Sequence, residues 1–132
     1  MFRAFSAGSR PAGRIHRGAL HQLEVAGLPI EELRSKSWDE FGAPGAPKMD
    51  FIFTLCDNAA QETCPVWPGQ PVKAHWGLPD PGSIAVAAGD EERAFRDAFV
   101  TLDRRIGLFL RLPLASLTDV ALQKELDGIG RA

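Results

Sequence analysis

The sequence predicts an α/β fold with a largely parallel sheet, in a single domain over residues 1–132. Segments with the apolar character of β-strands alternate along the chain with segments in which apolar residues recur at helical spacing. A chain of 132 residues is long enough for one hydrophobic core. Only three strands are predicted, whereas an average sheet has ~5 to 6, so the sheet is small for its class.

The amino-terminal third predicts a strand followed by helices. Residues 2–7 alternate weakly between apolar and polar side chains and stop at Gly8, which indicates a short strand. A helix is predicted over 16–26, where apolar residues recur at helical spacing, and Gly27 is suited to cap its carboxyl terminus. A second, short helix is predicted over 30–33, after a proline.

Two further strands are predicted in the middle of the chain. The run 49–55 is mostly apolar and is bounded by turn residues, so we expect a strand that is buried on both faces. Residues 72–76 indicate a third, shorter strand after a proline-rich stretch. Before these strands, Ser37 followed by Glu40 has the form of a capping box, which predicts a short helical segment there.

The carboxyl-terminal part predicts two helices. Asp90 is suited to cap the strongest helix of the chain, and Pro113 ends it. A last helix is predicted to begin at Ser116 to Asp119 and to run to about Ile129. The strongest helix has one apolar stripe, formed by Phe95, Ala98, Phe99, Leu102, Ile106, Phe109 and Leu110.

Composition and charge are those of an ordinary globular protein, with 45% hydrophobic and 24% charged residues. A formal net charge of −2 argues against nucleic acid or an anionic membrane as a partner. No apolar run reaches the ~20 residues of a membrane span, and no secretory signal is recognised, so we expect a cytoplasmic protein. Four arginines precede the first acidic residue and indicate either an anion site or a solvated basic surface: Arg3, Arg10, Arg14 and Arg17.

The two cysteines are the most informative residues of the chain. Cys56 ends the apolar run of the second strand, and Cys64 follows it in a polar loop ahead of a proline-rich turn. Ligands and chemistry collect at the carboxyl ends of strands in α/β proteins. A cytoplasmic cysteine pair is more often catalytic, redox-active or metal-binding than a static cross-link. The pair can form a disulfide if the loop bends back; the alternative is two ordinary structural thiols.

Other polar and aromatic residues near these strands have more than one interpretation. Asp80 lies in a glycine- and proline-rich loop, where it is suited either to proton transfer or to a turn bonded to its own backbone. Trp76 is either a pocket wall or a core residue. A zinc site from Cys56, Cys64 and His75 offers only three ligands where structural zinc takes four. We predict neither a metal nor a cofactor.

Six short motifs together resemble bacterial arsenate reductases built on the low-molecular-weight tyrosine phosphatase fold. The resemblance runs from Phe2 to about Leu112 and rests on the order and spacing of the motifs. It implies a three-layer α/β sandwich with a parallel sheet. The motifs are Phe5-Ser-Ala-Gly8, Arg34-Ser-Lys-Ser37, Phe53-Thr-Leu-Cys56-Asp-Asn58, Cys64-Pro65, His75-Trp-Gly77 and Asp80-Pro81.

The resemblance also implies a chemistry. Members of that family carry a Cys-x5-Arg loop that cradles an oxyanion and attacks arsenate, or a phosphate ester in the phosphatases. In the reductases, two later cysteines then relay a disulfide to thioredoxin or a similar thiol reductant, and these roles fall on Cys56 and Cys64. Asp80 resembles the general-acid aspartate that protonates the leaving oxygen.

The chain departs from the family's pattern at its catalytic loop. It contains no Cys-x5-Arg, because Glu62 and Gln70 stand six residues after the two cysteines. The resemblance places the start of the chain at the family's second strand, so the first strand, the anion loop and the first helix are expected to be missing. We expect open sheet edges and self-association. Three functions stay open: an incomplete arsenate reductase, an inactive remnant or binding module, and a tyrosine-phosphatase-like protein.

Overall fold

The computed structural model describes residues 2–9, 11–55, 70–83 and 88–132, and both cysteines lie outside this part of the chain. Within it, no helix is long and apolar enough to cross a membrane. Three helices and a parallel pair of strands form the described structure, which confirms the predicted α/β class. The elements are α1 (Arg17–Val25), β1 (Phe51–Thr54), β2 (Val72–His75), α2 (Ala88–Leu110) and α3 (Asp119–Ile129), with 3-10 turns at Trp38–Phe41, Pro81–Ser83 and Leu114–Ser116.

The sheet is a parallel pair in which Phe51 lies opposite Val72 and Thr54 lies opposite His75. Trp76 extends the ladder by one residue, since its N–H donates to the Thr54 carbonyl (2.8 Å). Both strands are shorter than predicted. The expectation that β1 is buried on both faces is wrong, because all four of its residues are only half-buried. Among the described residues it has one neighbouring strand, and helices cover one face.

The apolar core lies on the face of the sheet that α2 and α3 cover. Phe51, Phe53 and Val72 of the strands pack against it. Aromatic rings dominate this contact: Phe53 stacks on Trp76 at 3.9 Å between centroids, and both meet Phe109 edge-on. The buried residues of the core are Ala74, Trp76, Phe109, Leu122, Leu126 and Ile129.

Helix α1 confirms the helix predicted from spacing, and local hydrogen bonds cap both of its ends. At the start, His16 is the N-cap and its Nδ1 accepts a hydrogen bond from the Gly18 N–H (2.9 Å). At the other end, Gly27 adopts φ of +75°, and the Leu28 N–H donates to the Leu23 carbonyl (2.9 Å). This is a Schellman cap, so the predicted role of Gly27 is confirmed.

The two carboxyl-terminal helices differ from the prediction at their first turns. Helix α2 begins at Ala88, so Asp90 does not precede it but lies in its first turn, where a negative charge favours the helix dipole. Helix α3 begins at Asp119, and the Thr118 hydroxyl caps it by accepting from the Ala121 N–H (3.1 Å). Its end at Ile129 agrees with the prediction.

The predicted strand over residues 2–7 is wrong. The segment forms no strand pairing in the described structure, and the only bridge nearby is a single parallel one between Gly8 and Ser37. A strand needs a neighbour, and here the segment is held by side chains instead: the Phe2 ring packs on Phe51 at 6.4 Å and on Phe109 at 5.1 Å between centroids.

The short segment before β1 folds into turns. The helix predicted over 30–33 is only a turn, with one hydrogen bond from the Leu33 N–H to the Ile30 carbonyl (3.2 Å). Ser37 does cap the 3-10 turn at Trp38–Phe41, since its hydroxyl accepts from the Asp39 N–H (3.1 Å). The capping box is therefore half formed, because its Glu40 side chain binds an arginine instead.

Helix α3 covers the outer edge of β2. The Gln123 side-chain amide donates to the Lys73 carbonyl (2.9 Å), which points away from β1. At the end of α3, a Cβ on Gly130 would lie 2.9 Å from both the His75 carbonyl oxygen and the Trp76 ring. Helix and strand therefore approach so closely that only glycine fits at this position.

We predict that Gly130→Ala destabilises the protein by about 1–3 kcal/mol, because the added methyl group collides with backbone that cannot move aside. Gly107→Ala is the matched control, since nothing lies within 4 Å of its Cβ position inside α2. There alanine should stabilise by up to about 1 kcal/mol. Urea unfolding of both variants measures the difference. Equal stability of the two variants would contradict the close packing of α3 on β2.

Candidate active site

The carboxyl ends of the two parallel strands are joined by a side-chain hydrogen bond. The Thr54 hydroxyl at the end of β1 lies 2.7 Å from Nδ1 of His75 at the end of β2. This is the edge of a parallel sheet at which ligands usually bind. From Thr54 the chain runs through Leu55 directly to Cys56, which lies outside the described residues, as Cys64 does. The roles predicted for both cysteines stay predictions.

The segment that carries Asp80 runs beside the same end of β1. The Leu78 N–H donates to the Leu55 carbonyl (3.1 Å), so the chain that leads to Asp80 is bonded to the residue before Cys56. Asp80 itself is exposed, and its Oδ1 accepts from the Gly82 N–H (3.0 Å). This contact is the backbone turn considered for Asp80. Its role as a general acid stays a prediction.

The His75-Trp76-Gly77 motif has a structural explanation. Trp76 is a core residue with 2% of its surface exposed, so the pocket-wall interpretation is wrong. Its indole N–H donates to the Leu126 carbonyl (3.0 Å), which satisfies the buried polar atom. A Cβ at Gly77 would lie 2.5 Å from Nε2 of His75, so glycine lets the chain pass close to the imidazole.

A buried arginine fixes this motif, and the sequence analysis missed it. Arg105 in α2 is 7% exposed, and its Nη1 donates to the carbonyls of Trp76 (2.9 Å) and Gly77 (3.3 Å). The sequence did contain a signal, because Arg105 stands three residues after Leu102 and four before Phe109, inside the apolar stripe. Two residues assigned to the stripe are instead exposed, Ile106 by 48% and Leu110 by 55%.

A basic surface cleft lies next to the turn of Asp80. The cleft has a volume of about 370 Å³, and Arg14, Arg17 and His16 line it together with Glu91. Gly82, in the turn of Asp80, lies beside this cleft: a Cβ atom added to it would be 3.5 Å from the His16 ring. The two guanidinium groups favour an anion in the cleft, and the Glu91 carboxylate opposes one.

The Arg34-Ser-Lys-Ser37 motif holds the amino-terminal segment in place. Arg34 binds both carboxylate oxygens of Glu40, at 3.0 and 2.6 Å. These hydrogen bonds and the positive charge of Arg34 hold the pKa of Glu40 below its ordinary value. Nearby, the Ser35 hydroxyl accepts from the Gly13 N–H (3.2 Å). We assign the motif a structural role, because its side chains bind the chain itself.

The described residues contain no group of three or more His, Cys, Asp or Glu side chains placed to hold a metal ion. The zinc alternative needs Cys56 and Cys64, so it falls mostly outside the described part of the chain.

Comparisons with known proteins identify the family of this chain. The family model for low molecular weight phosphotyrosine protein phosphatase matches residues 1–125. An arsenate reductase of Halalkalibacterium halodurans is 33% identical over 105 residues, which cover 80% of this chain and 72% of the relative. The chain therefore belongs to the low molecular weight phosphotyrosine protein phosphatase family. The predicted resemblance to arsenate reductases of that superfamily is confirmed.

We predict that Arg105→Met destabilises the protein by about 2–3 kcal/mol, because it removes the donor to the buried Trp76 carbonyl and to the half-buried Gly77 carbonyl. Arg104→Met is the matched control: Arg104 is exposed, and its Nη2 donates to the carbonyl of Ala132 at the end of the chain (3.0 Å). Its substitution should change the free energy of unfolding by less than about 0.5 kcal/mol. Urea unfolding monitored by tryptophan fluorescence compares them. If both variants lost similar amounts of unfolding free energy, the buried hydrogen bonds of Arg105 would not be a main source of stability.

Proposed function

We propose that this chain supplies the thiol relay of an arsenate reductase, with Cys56 and Cys64 as the relay cysteines and thioredoxin or a similar cytoplasmic thiol as reductant. One observation supports the proposal: Leu55, which follows β1 and precedes Cys56, is hydrogen-bonded to Leu78 in the segment that leads to Asp80. The residue before Cys56 and the segment that leads to Asp80 therefore lie at the same edge of the sheet. Family membership and the arsenate reductase relative support an oxyanion as substrate.

The proposed relay transfers two electrons to arsenic and takes two steps, each of which forms one disulfide bond. Arsenate is first held through a sulfur–arsenic bond to a nucleophilic cysteine that is not among these 132 residues. The Cys56 thiolate attacks that sulfur, a disulfide forms, and the sulfur–arsenic bond breaks with its electron pair on arsenic, which leaves as arsenite. The Cys64 thiolate then attacks Cys56 and releases the first cysteine as a thiolate. The resulting Cys56–Cys64 disulfide is reduced by the external thiol.

Asp80 is proposed to act before the relay. When the nucleophilic cysteine attacks arsenate, one oxygen must leave, and a proton from Asp80 lets it leave as water. An exposed carboxyl on a short turn beside the strand ends is suited to this transfer. The arginines that line the neighbouring cleft would attract the oxyanion toward the same edge.

Two other functions stay open. A remnant or binding module without catalysis of its own would result if no other segment supplied a Cys-x5-Arg loop, which these 132 residues do not contain. Family membership alone favours a phosphatase-like function. Phosphate ester hydrolysis needs no disulfide relay, so a redox-active Cys56–Cys64 pair would separate the reductase from the phosphatase.

We predict that mild oxidation of the protein produces an intramolecular Cys56–Cys64 disulfide and that thioredoxin with its reductase and NADPH reduces it. Mass spectrometry of proteolytic fragments identifies the link, and NADPH consumption measures the reduction. Cys56→Ser and Cys64→Ser are the controls, and neither should consume NADPH beyond the blank. Two free thiols after oxidation, or intermolecular links only, would remove the relay assignment.

We predict that the 132-residue chain alone does not reduce arsenate or hydrolyse an aryl phosphate above background, because it lacks the anion loop and the attacking cysteine. The arsenate reductase of Halalkalibacterium halodurans serves as the positive control for arsenate reduction. Turnover by the isolated chain that Cys56→Ser abolishes would show that the chemistry starts at Cys56. Such a result would contradict the order of steps proposed above and leave the relay pair itself intact.

A further inference from the structure

Helix α1 faces α2 with a glutamine. Gln22 is the only buried residue among the nine of α1, with 8% of its surface exposed. Gly18 lies one turn earlier on the same face, where an added Cβ atom would collide with the Phe95 ring of α2. The face of α1 that meets α2 therefore carries a polar side chain at a position that an apolar residue usually fills.

The side-chain amide of Gln22 has no hydrogen-bond partner in the described part of the chain. Buried amides are almost always bonded, so an unbonded one needs an explanation. No completely enclosed side-chain nitrogen or oxygen among the described residues is unbonded, so the Gln22 amide keeps an opening to the surface. The opening is a cleft of about 220 Å³ between the two helices, lined by Arg17, Gly18, His21 and Gln22 of α1 and by Glu91 and Glu92 of α2.

The walls of this interhelical cleft carry both signs of charge. Arg17 contributes a guanidinium group from α1, and Glu91 and Glu92 contribute two carboxylates from α2. A simple anion in the cleft would be repelled by the carboxylates, and a simple cation by the guanidinium group. In the described part of the chain, no three His, Cys, Asp or Glu side chains are placed to hold a metal ion. The charges therefore favour an organic ligand that carries both signs.

We propose that the interhelical cleft binds a small zwitterion of the size of a free α-amino acid. The carboxylate of the ligand binds Arg17, its ammonium group binds the half-buried Glu91, and a polar group of its side chain hydrogen-bonds to the Gln22 amide. The ligand thus supplies the partner that the buried amide lacks. The cleft is smaller than the ~300–1,000 Å³ of pockets for drug-sized molecules, which suits a ligand of this size. This inference does not depend on the redox role of the cysteines.

L-Glutamine is the probe, because it carries both charged groups and an amide that can pair with the Gln22 amide. Added to the full 132-residue chain, it should shift the backbone amide signals of Gly18 and Gln22 in nitrogen-15 NMR spectra. The shifts should saturate with a Kd of about 1–10 mM. Signals that do not move, or that move without saturation, would overturn the site.

Two analogues of the probe each lack one of its charges. Glutaramate has no ammonium group, and 4-aminobutanamide has no carboxylate. Each should bind at least ~10-fold more weakly than L-glutamine, because one charge-assisted hydrogen bond is lost and one wall charge is left without a partner. An analogue that binds as tightly as L-glutamine would overturn the assignment of a zwitterion.

Gln22→Leu separates binding from structural stability. Leucine is similar in size and needs no hydrogen-bond partner, so this variant should unfold at a higher urea concentration than the wild type. It should also raise the Kd for L-glutamine at least ~10-fold. Gln123→Leu is the matched control, because the Gln123 amide is bonded to the Lys73 carbonyl (2.9 Å) and the Asp127 carboxylate (3.0 Å). This control should unfold at a lower urea concentration and bind L-glutamine like the wild type.

The two charges of the cleft are tested by Arg17→Gln and Glu91→Gln, each of which should raise the Kd at least ~10-fold. Arg93→Gln, which removes an exposed charge of α2 outside the cleft, should leave the Kd unchanged. Wild-type affinity in the Arg17 or Glu91 variant would overturn the proposed binding mode. If Gln22→Leu binds L-glutamine normally, or loses stability as Gln123→Leu does, Gln22 is a structural residue and the proposal is wrong.

Discussion

Trp76 joins both strands to both carboxyl-terminal helices, and the rest of the described structure depends on these contacts. Its backbone N–H donates a hydrogen bond to the Thr54 carbonyl of β1, and its backbone carbonyl accepts one from the Arg105 guanidinium of α2. Its indole N–H donates to the Leu126 carbonyl of α3. Its ring stacks on Phe53 of β1. A two-stranded sheet is not stable on its own, so this residue ties the pair to the helices that cover it.

The position of Trp76 also determines what the strand ends can do. His75 and Gly77 flank it, so their backbone is fixed while the imidazole stays at the exposed strand end, bonded to Thr54. The segment toward Asp80 leaves from this anchor and is bonded to Leu55. A rigid core at the strand ends thus supports the turn that carries Asp80, and functional loops of α/β proteins are usually supported in this way.

The sequence was informative where structure is set by neighbours along the chain. Apolar periodicity predicted α1 and the extent of α3, and Gly27 predicted a cap that forms through local hydrogen bonds. It failed where the partner is distant in sequence: residues 2–7 pair with no strand in the described part of the chain, and the buried Arg105 binds carbonyls 28 and 29 residues away. The relay roles predicted for Cys56 and Cys64 rest on the resemblance to a family, since the residues themselves also allow two structural thiols.

The reduction potential of the Cys56–Cys64 pair tests the central claim, that these thiols form a relay, most directly. Equilibration with thioredoxin at graded ratios of its two redox forms gives this potential. A relay disulfide must be reducible by thioredoxin, so we expect a potential above thioredoxin's value of about −270 mV. A potential below about −300 mV is typical of a static structural disulfide and would contradict the relay.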